Sequence, residues 1–263
     1  NMKIKHLLCF IALCLFFTPG KAQQLSVMTL RNGATVYIWE DKSKPDVFGM
    51  IAFKVGSVDD PEQYTGLAHY LEHVMFKGTQ TIDALDWEKE KPIYEKIIAK
   101  YDERAALSDP AAREAVDKEI NDLTREAAQY AAGNEFSLLV DHMGGQGLNA
   151  STGYDQTEYH NSFPPSQLEK WLEIYSERLI DPVFRGFQTE LEAVYEEYNM
   201  YNDDRGSRMR EFIYEQAFGD HPYARPIIGL PEHLKNPQLS KLIDFYNTWY
   251  GPQNMSIDRK SVV

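Results

Sequence analysis

Two histidines one helical turn apart constrain this chain more than any other feature. Residues 67–77 contain no proline or glycine, so a helix can run through them. On that helix His69, Glu72 and His73 would project together, because residues three and four apart are neighbours on a helix surface. Two neutral imidazole nitrogens at this spacing suit Zn²⁺, and the order H-x-x-E-H is the inverted form of a known zinc motif. A surface helix with two chance histidines is the alternative, and the intervening glutamate argues against it.

Length and charge restrict the class of protein. The 263 residues suffice for one large or two small domains, and a composition of 43% apolar and 25% charged residues is ordinary for a globular chain. The net charge of −13 argues against a nucleic-acid partner, because such a partner needs a basic face. Acidity mainly favours solubility and predicts no substrate.

Residues 1–22 have the pattern of a secretory signal peptide. A charged start precedes an apolar run at residues 7–17 that is too short to cross a bilayer, and small residues follow for cleavage. A buried N-terminal helix is the alternative, but the run is apolar on all sides. Cys9 and Cys14 lie inside this segment, and neither follows a residue suited to lipid attachment. We therefore expect a periplasmic or secreted protein with no stable membrane anchor and no disulfide.

The C-terminus changes character abruptly. Residues 254–257 have the pattern of a strand beginning, and the charged hexapeptide 258–263 follows without a turn. We interpret residues 258–263 as a non-native tail, encoded by sequencing adapter joined to an interrupted gene. The mature catalytic domain would then comprise residues 23–257, which resequencing of the locus would test.

Apolar periodicity predicts an α+β fold with a mixed or antiparallel sheet covered by helices. Alternating apolar residues on both sides of a tight turn at Asn32-Gly33 predict the first two strands. Further strands are predicted before and after the histidine motif. The predicted strands are residues 25–30, 34–39, 47–55, 148–154 and 157–163. The predicted helices after them are residues 167–180, 189–202, 209–218 and 239–249.

A long charged region between the motif and the later strands predicts a helical hairpin. Apolar residues recur at helical spacing over residues 87–104 and 110–132, and a Ser-Asp-Pro break separates the two runs. We interpret residues 87–132 as a structural insertion with a solvated outer face. A partner-binding arm is the alternative, which we favour less because charge runs are usually only solvated.

The two histidines leave a catalytic zinc site one protein ligand short. Glu190 and Glu197 lie seven residues apart (197 − 190), two turns along one predicted helix, and face the same way. The residues alone leave the choice open, because glutamates on helix surfaces are usually solvated.

The motifs together resemble the N-terminal catalytic domain of the pitrilysin–insulinase family of zinc peptidases, over residues 30–257. The resemblance is carried by Asn32-Gly33, residues 66–79 and four later segments: 149–152, 190–197, 221–223 and 250–255. It implies a fold like that of the mitochondrial processing peptidases and hydrolysis of peptide bonds in peptides or unfolded polypeptides.

The same resemblance implies a role for each polar residue. One Zn²⁺ per domain would be held by His69, His73 and Glu197, with Glu72 as general base. Glu190 would be a supporting acid that orients the site without binding metal.

Asn149, Ala150 and Thr152 fall where the family binds substrate backbone on a sheet edge. The distance from His73 to Glu197 is 124 residues (197 − 73), longer than the family usually shows, and the hairpin accounts for it. Family members work with further homologous domains, so we expect a homologous second half or partner subunit.

Two other functions are compatible with parts of the pattern. A catalytically incomplete peptide-binding subunit or scaffold would share the fold, but such subunits typically lose motif residues and none is lost here. A lyase of the S-ribosylhomocysteine-cleaving kind shares the inverted motif, but its chemistry depends on a cysteine, which the mature chain would lack.

Overall fold

A six-stranded mixed sheet organises the domain. A computed structural model describes residues 25–41 and 43–261, so the predicted signal peptide lies outside it. Within this part of the chain the strand order is β1-β2-β6-β3-β5-β4, and every neighbouring pair is antiparallel except β2 with β6. The strands are β1 Leu25–Thr29, β2 Thr35–Glu40, β3 Val47–Phe53, β4 Gln146–Thr152, β5 Thr157–Phe163 and β6 Met255–Ser261.

Helices cover one face of this sheet, which confirms the predicted α+β class. In chain order they are α1 Leu67–Val74, α2 Trp87–Ala106, α3 Pro110–Ala127, α4 Glu135–His142, α5 Leu168–Ile180, α6 Phe187–Asp203, α7 Arg205–Phe218, α8 Pro231–Leu234 and α9 Leu239–Trp249. A search of the described helices finds none with the length and apolar character needed to cross a bilayer.

The core lies between the sheet and the helices. β3 alternates strictly between buried and half-buried residues, so Ile51 and Phe53 face inward. Leu71 and Val74 of α1 are fully buried in the same cluster. Trp171 of α5 stacks on Phe163 of β5, with ring centroids 5.2 Å apart. The motif helix is therefore fixed by packing on its apolar side, which leaves its polar side free for chemistry.

A buried carboxylate fixes the start of α1. Asp60 accepts hydrogen bonds from the backbone N–H groups of Gly66, at 2.7 Å, and Ala68, at 2.9 Å. These donors have no partner inside the helix, so the aspartate acts as its cap. Burial raises the pKa of Asp60 to about 7, against the lowering effect of those two hydrogen bonds. Gly66 has φ +89°, and a Cβ there would lie 2.6 Å from the carbonyl oxygen of Ile228.

The predicted helical hairpin is present as α2 and α3. The second helix ends at Ala127, earlier than predicted, and a single 3₁₀ turn follows at Ala128–Tyr130. Glu90 of α2 is 1% exposed and pairs with Arg185, which ties the hairpin to the segment before α6. That the hairpin is an insertion relative to other proteins of this fold stays a prediction.

The structure differs from the prediction at three further elements. Neither α4, which starts after Asn134 at φ +65°, nor the short α8 was predicted. Only the beginning of a C-terminal strand was predicted, at residues 254–257, whereas β6 runs from Met255 through Ser261 and pairs with both β2 and β3. Strand pairing uses backbone groups, so this placement does not bear on whether residues 258–263 are native.

Candidate metal centre

Two helices bring three possible metal ligands together. α1 carries His69 and His73, and α6 carries Glu197. The Nε2 atoms of the two histidines lie 3.4 and 3.7 Å from Oε2 of Glu197. One ligand atom from each of the three residues falls within 4.8 Å of the others. The structure thus assembles the predicted ligand set across 124 residues of chain (197 − 73).

The geometry of this group fits a zinc ion. Bond lengths of about 2.0–2.2 Å in a tetrahedron require ligand atoms roughly 3.4 Å apart. The two observed separations, 3.4 and 3.7 Å, are of that size. Two imidazoles and one carboxylate are also a donor set that catalytic zinc sites use.

The protonation of the two histidines differs. Burial lowers the pKa of His69 to about 4, with the neighbouring His73 adding to the effect, so His69 is neutral at pH 7. Burial also lowers the pKa of His73, but its hydrogen bonds to Glu190 and Glu197 outweigh this and raise the value to about 9. The hydrogen bond from His73 holds the pKa of Glu197 below its usual range. In the metal-free domain a proton on His73 therefore occupies the place that a cation would take.

Glu190 lies behind the histidines, away from the cluster of ligand atoms. Its Oε2 is 3.4 Å from Nδ1 of His73, the ring nitrogen that does not face Glu197. Its Oε1 is 2.5 Å from Nζ of Lys77. Burial raises the pKa of Glu190, but the hydrogen bonds from His73 and Lys77 outweigh it and lower the value. Sequence reasoning did not single out Lys77, although it lies in the segment 66–79 that carried the resemblance.

Glu72 faces the cleft without joining the ligand cluster. Its Oε2 accepts a hydrogen bond from Oγ1 of Thr152 at 2.6 Å. Burial raises the pKa of Glu72, against the lowering effect of this hydrogen bond. Thr152 was predicted only as a substrate-binding residue, so its contact with Glu72 is new. Glu196, the neighbour of Glu197 in the sequence, is exposed.

An open cleft of about 420 Å³ lies over these residues. His69, Glu72, His73 and Glu197 line it on one side. Residues 149–152 of β4 line it as well, and β4 is one of the two edge strands of the described sheet. Asn149 is exposed, whereas Ala150 and Thr152 are half-buried. The remaining lining residues are Tyr154, Tyr201, Arg210, Glu211, Pro226, Ile227 and Ile228.

Comparison with known families agrees with this geometry. The family model described as "Insulinase (Peptidase family M16)" matches residues 35–91 and 121–230. The chain belongs to the insulinase family of peptidases. The matched ranges include every predicted site residue and leave out residues 92–120, which lie in the α2–α3 hairpin.

Relatives of this chain are longer than the chain itself. It is 25% identical over 231 residues to the zinc protease PqqE of Helicobacter pylori, an alignment that covers 86% of this chain and 41% of that protein. A solved protease structure from Helicobacter pylori superposes with a TM-score of 0.69 at 22% identity, covering 92% of this chain and 47% of the other.

The structure of the first half of the periplasmic protease PqqL from Escherichia coli gives a TM-score of 0.66 at 22% identity, covering 92% of this chain and 44% of the other. The two structural matches show the shared fold. In all three comparisons the chain spans less than half the length of the protein it matches.

Proposed function

We propose that this domain is the zinc-binding catalytic part of an endopeptidase that acts on peptides or unfolded polypeptides. The observation that carries the proposal is the convergence of His69, His73 and Glu197 at zinc-ligand spacing, with Glu72 beside them in the same cleft. Family membership supports the reaction class, because the matching relatives are named zinc proteases.

Each residue has a separate task in this proposal. Zn²⁺ held by His69, His73 and Glu197 would supply Lewis acidity beside the scissile carbonyl. Glu72 takes a proton from water through Oε1 and passes it to the leaving amine, while Thr152 holds Oε2. The raised pKa of Glu72 suits this task, because a base whose pKa lies nearer the working pH transfers the proton in both directions more easily.

The substrate would bind along β4. An outermost strand has unpaired backbone groups, and an extended peptide can pair with them as an added strand. Asn149, Ala150 and Thr152 would then lie alongside the scissile bond. This mode reads backbone more than side chains, which agrees with a broad peptide substrate class.

The complete enzyme would need more than this domain. The longer relatives support a homologous second half or partner subunit that closes over the cleft. The Escherichia coli protein PqqL is a periplasmic protease, which supports the periplasmic or secreted location proposed from residues 1–22. A peptide-binding subunit that depends on such a partner for turnover is the second candidate.

Substitution of the three glutamates tests the roles. Glu72→Gln should keep stoichiometric zinc and abolish peptide cleavage, whereas Glu197→Gln should lose zinc. Glu190→Gln should fall between them, with activity reduced more than zinc content. Zinc content is measured by atomic absorption. Peptide cleavage is measured with the chain complemented by its downstream sequence.

Glu196→Gln is the matched control, because this neighbouring glutamate is exposed and should affect neither measurement. A zinc-free Glu72→Gln protein, or a Glu197→Gln protein with full zinc, would show that the roles are assigned wrongly. Full zinc with no cleavage by the complemented wild type would favour the peptide-binding subunit.

A further inference from the structure

Lys77 contacts the carboxylate that supports the metal site. It lies four residues after His73, just beyond the end of α1, and its backbone N–H donates to the carbonyl oxygen of Val74 at 3.1 Å. Its Nζ is 2.5 Å from Oε1 of Glu190, and the other oxygen of Glu190 is 3.4 Å from Nδ1 of His73. One carboxylate therefore bridges an ammonium group and an imidazole.

The bridge decides which nitrogen of His73 is available for metal. An ionised carboxylate only accepts hydrogen bonds, so Nδ1 of His73 must be the donor. The lone pair of a neutral His73 then lies on Nε2, which is the nitrogen 3.7 Å from Glu197. The contact with Nζ of Lys77 fixes the rotation of the Glu190 carboxylate.

This contact differs from an ordinary surface ion pair. Exposed pairs contribute little to stability, because water competes for both charges. Here the Glu190 side chain is only 15% exposed and the Lys77 side chain is 35% exposed. Glu190 is also restrained on its second oxygen by His73.

The backbone of Lys77 is anchored from the hairpin. Its carbonyl oxygen accepts a hydrogen bond from Nη1 of Arg185 at 3.2 Å. Two other nitrogens of Arg185 pair with both carboxylate oxygens of Glu90 in α2, at 2.6 and 2.8 Å. A bidentate pair of this kind has a defined geometry. The position of Lys77 thus depends on α2 as well as on α1.

We propose that Lys77 is a positioning residue for the metal site. It fixes Glu190, which orients His73 with Nε2 toward the metal. The Glu90–Arg185 pair of the hairpin holds Lys77 in place. The inference rests on the proposed zinc site. It also gives the hairpin a specific structural connection to that site.

The test compares zinc affinity among Lys77 variants of the full chain. The zinc dissociation constant is measured by competition with a chromophoric chelator at fixed pH and salt. Lys77→Met should raise the constant about 10-fold, as loss of an outer hydrogen-bond partner does. Lys77→Arg should stay within about threefold of wild type, because a guanidinium can also pair with the carboxylate. Lys241→Met is the control, since Lys241 makes a surface ion pair with Asp244.

A double substitution separates positioning from general stability. In the Glu190→Gln background, Lys77→Met should change the zinc dissociation constant by less than about twofold, because the bridge is already broken. In the zinc-loaded chain, Lys77→Met alone should shift the NMR signal of the Nδ1 proton of His73. Urea unfolding of each variant identifies any loss of folding.

The outcomes are distinguishable. Wild-type chain that binds no zinc would overturn the proposed function and this inference with it. Wild-type chain that binds zinc, with a folded Lys77→Met variant of unchanged affinity, would overturn this inference alone. Equal effects of Lys77→Met in the wild-type and Glu190→Gln backgrounds would also overturn it, since Lys77 would then act independently of Glu190.

Discussion

Replacing Arg178 should destabilise the domain strongly, because this arginine is buried against the end of the motif helix. The residue is 1% exposed, and its Nε donates to the carbonyl oxygen of Met75 at 2.9 Å. Its guanidinium carbon lies 4.3 Å from the ring centroids of Phe76 and Tyr159 and 4.6 Å from that of Phe136. Nη1 and Nη2 have no hydrogen-bond partner among the described residues.

The size of the effect follows from opposing terms. The charged hydrogen bond contributes about 1.5–3 kcal/mol, and each desolvated cation–π contact up to about 2 kcal/mol. Against these, burial of a guanidinium costs several kcal/mol. Arg178→Ala loses the favourable terms and leaves a cavity, so we expect a loss of about 4 kcal/mol. Arg178→Met removes the charge but keeps most of the volume, so we expect a loss of about 1–2 kcal/mol.

Urea denaturation followed by circular dichroism measures both values, provided that the slope with denaturant stays constant. Arg125→Ala is the control, because Arg125 is exposed and its replacement should change stability by less than about 0.5 kcal/mol. If Arg178→Ala costs less than about 1 kcal/mol, the aromatic rings do not hold the cation as argued. Equal costs for Arg178→Ala and Arg178→Met would show instead that the cavity left by alanine contributes nothing.

Three other predictions concern the site and its surroundings. Thr152→Val should lower the turnover of the complemented enzyme about 10-fold with zinc content unchanged, because Oε2 of Glu72 loses its hydrogen-bond donor. Thr152→Ser keeps a hydroxyl at this position and should retain most of the wild-type turnover. The pKa of Asp60 is higher in the folded chain than in the unfolded chain, so ionisation of Asp60 opposes folding. The free energy of unfolding should therefore fall as pH rises from about 4 to about 7. Asp60→Asn should remove this dependence on pH. The 263-residue chain alone should bind zinc but cleave peptides far more slowly than when its downstream sequence is added in trans, and equal rates would refute the need for a second half.

The sequence predicted those parts of the fold that local patterns encode. Residues 239–249 were predicted as a helix and form α9 with the same bounds, and residues 157–163 form β5 as predicted. α1 is shorter than the sequence allows: the α-helix ends at Val74, and hydrogen bonds of three-residue spacing follow, from Phe76 to His73 and from Lys77 to Val74. α4 was missed because its eight residues are too few for a clear period and, unlike the eight of α1, carry no chemical motif.

The site was harder to predict wherever it depends on contacts between distant side chains. The pairing of Glu190 with Lys77 joins positions 113 residues apart (190 − 77) and leaves no periodic trace in the sequence. The hydrogen bond from the hydroxyl of Thr152 to Glu72 was equally hard to predict, because the sequence alone suggests that a polar residue on an edge strand is solvated. The spacing of Glu190 and Glu197 singled out two candidates and left the choice open, and the family resemblance implied that Glu197 is the ligand. In the structure Glu197 lies near Nε2 of His73 and Glu190 near Nδ1.

The charges around the two histidines explain why this part of the fold suits a metal. Three carboxylates, those of Glu72, Glu190 and Glu197, lie near His69 and His73, and burial prevents water from screening them fully. Without a cation the carboxylates draw a proton onto His73, which is why its pKa rises to about 9 although burial acts in the opposite direction. A divalent ion at the same point would supply the positive charge and release that proton, so uptake of zinc should be weaker at low pH. The excess of negative charge therefore favours a cation at this point, and it comes from side chains of two helices that only the tertiary fold brings together.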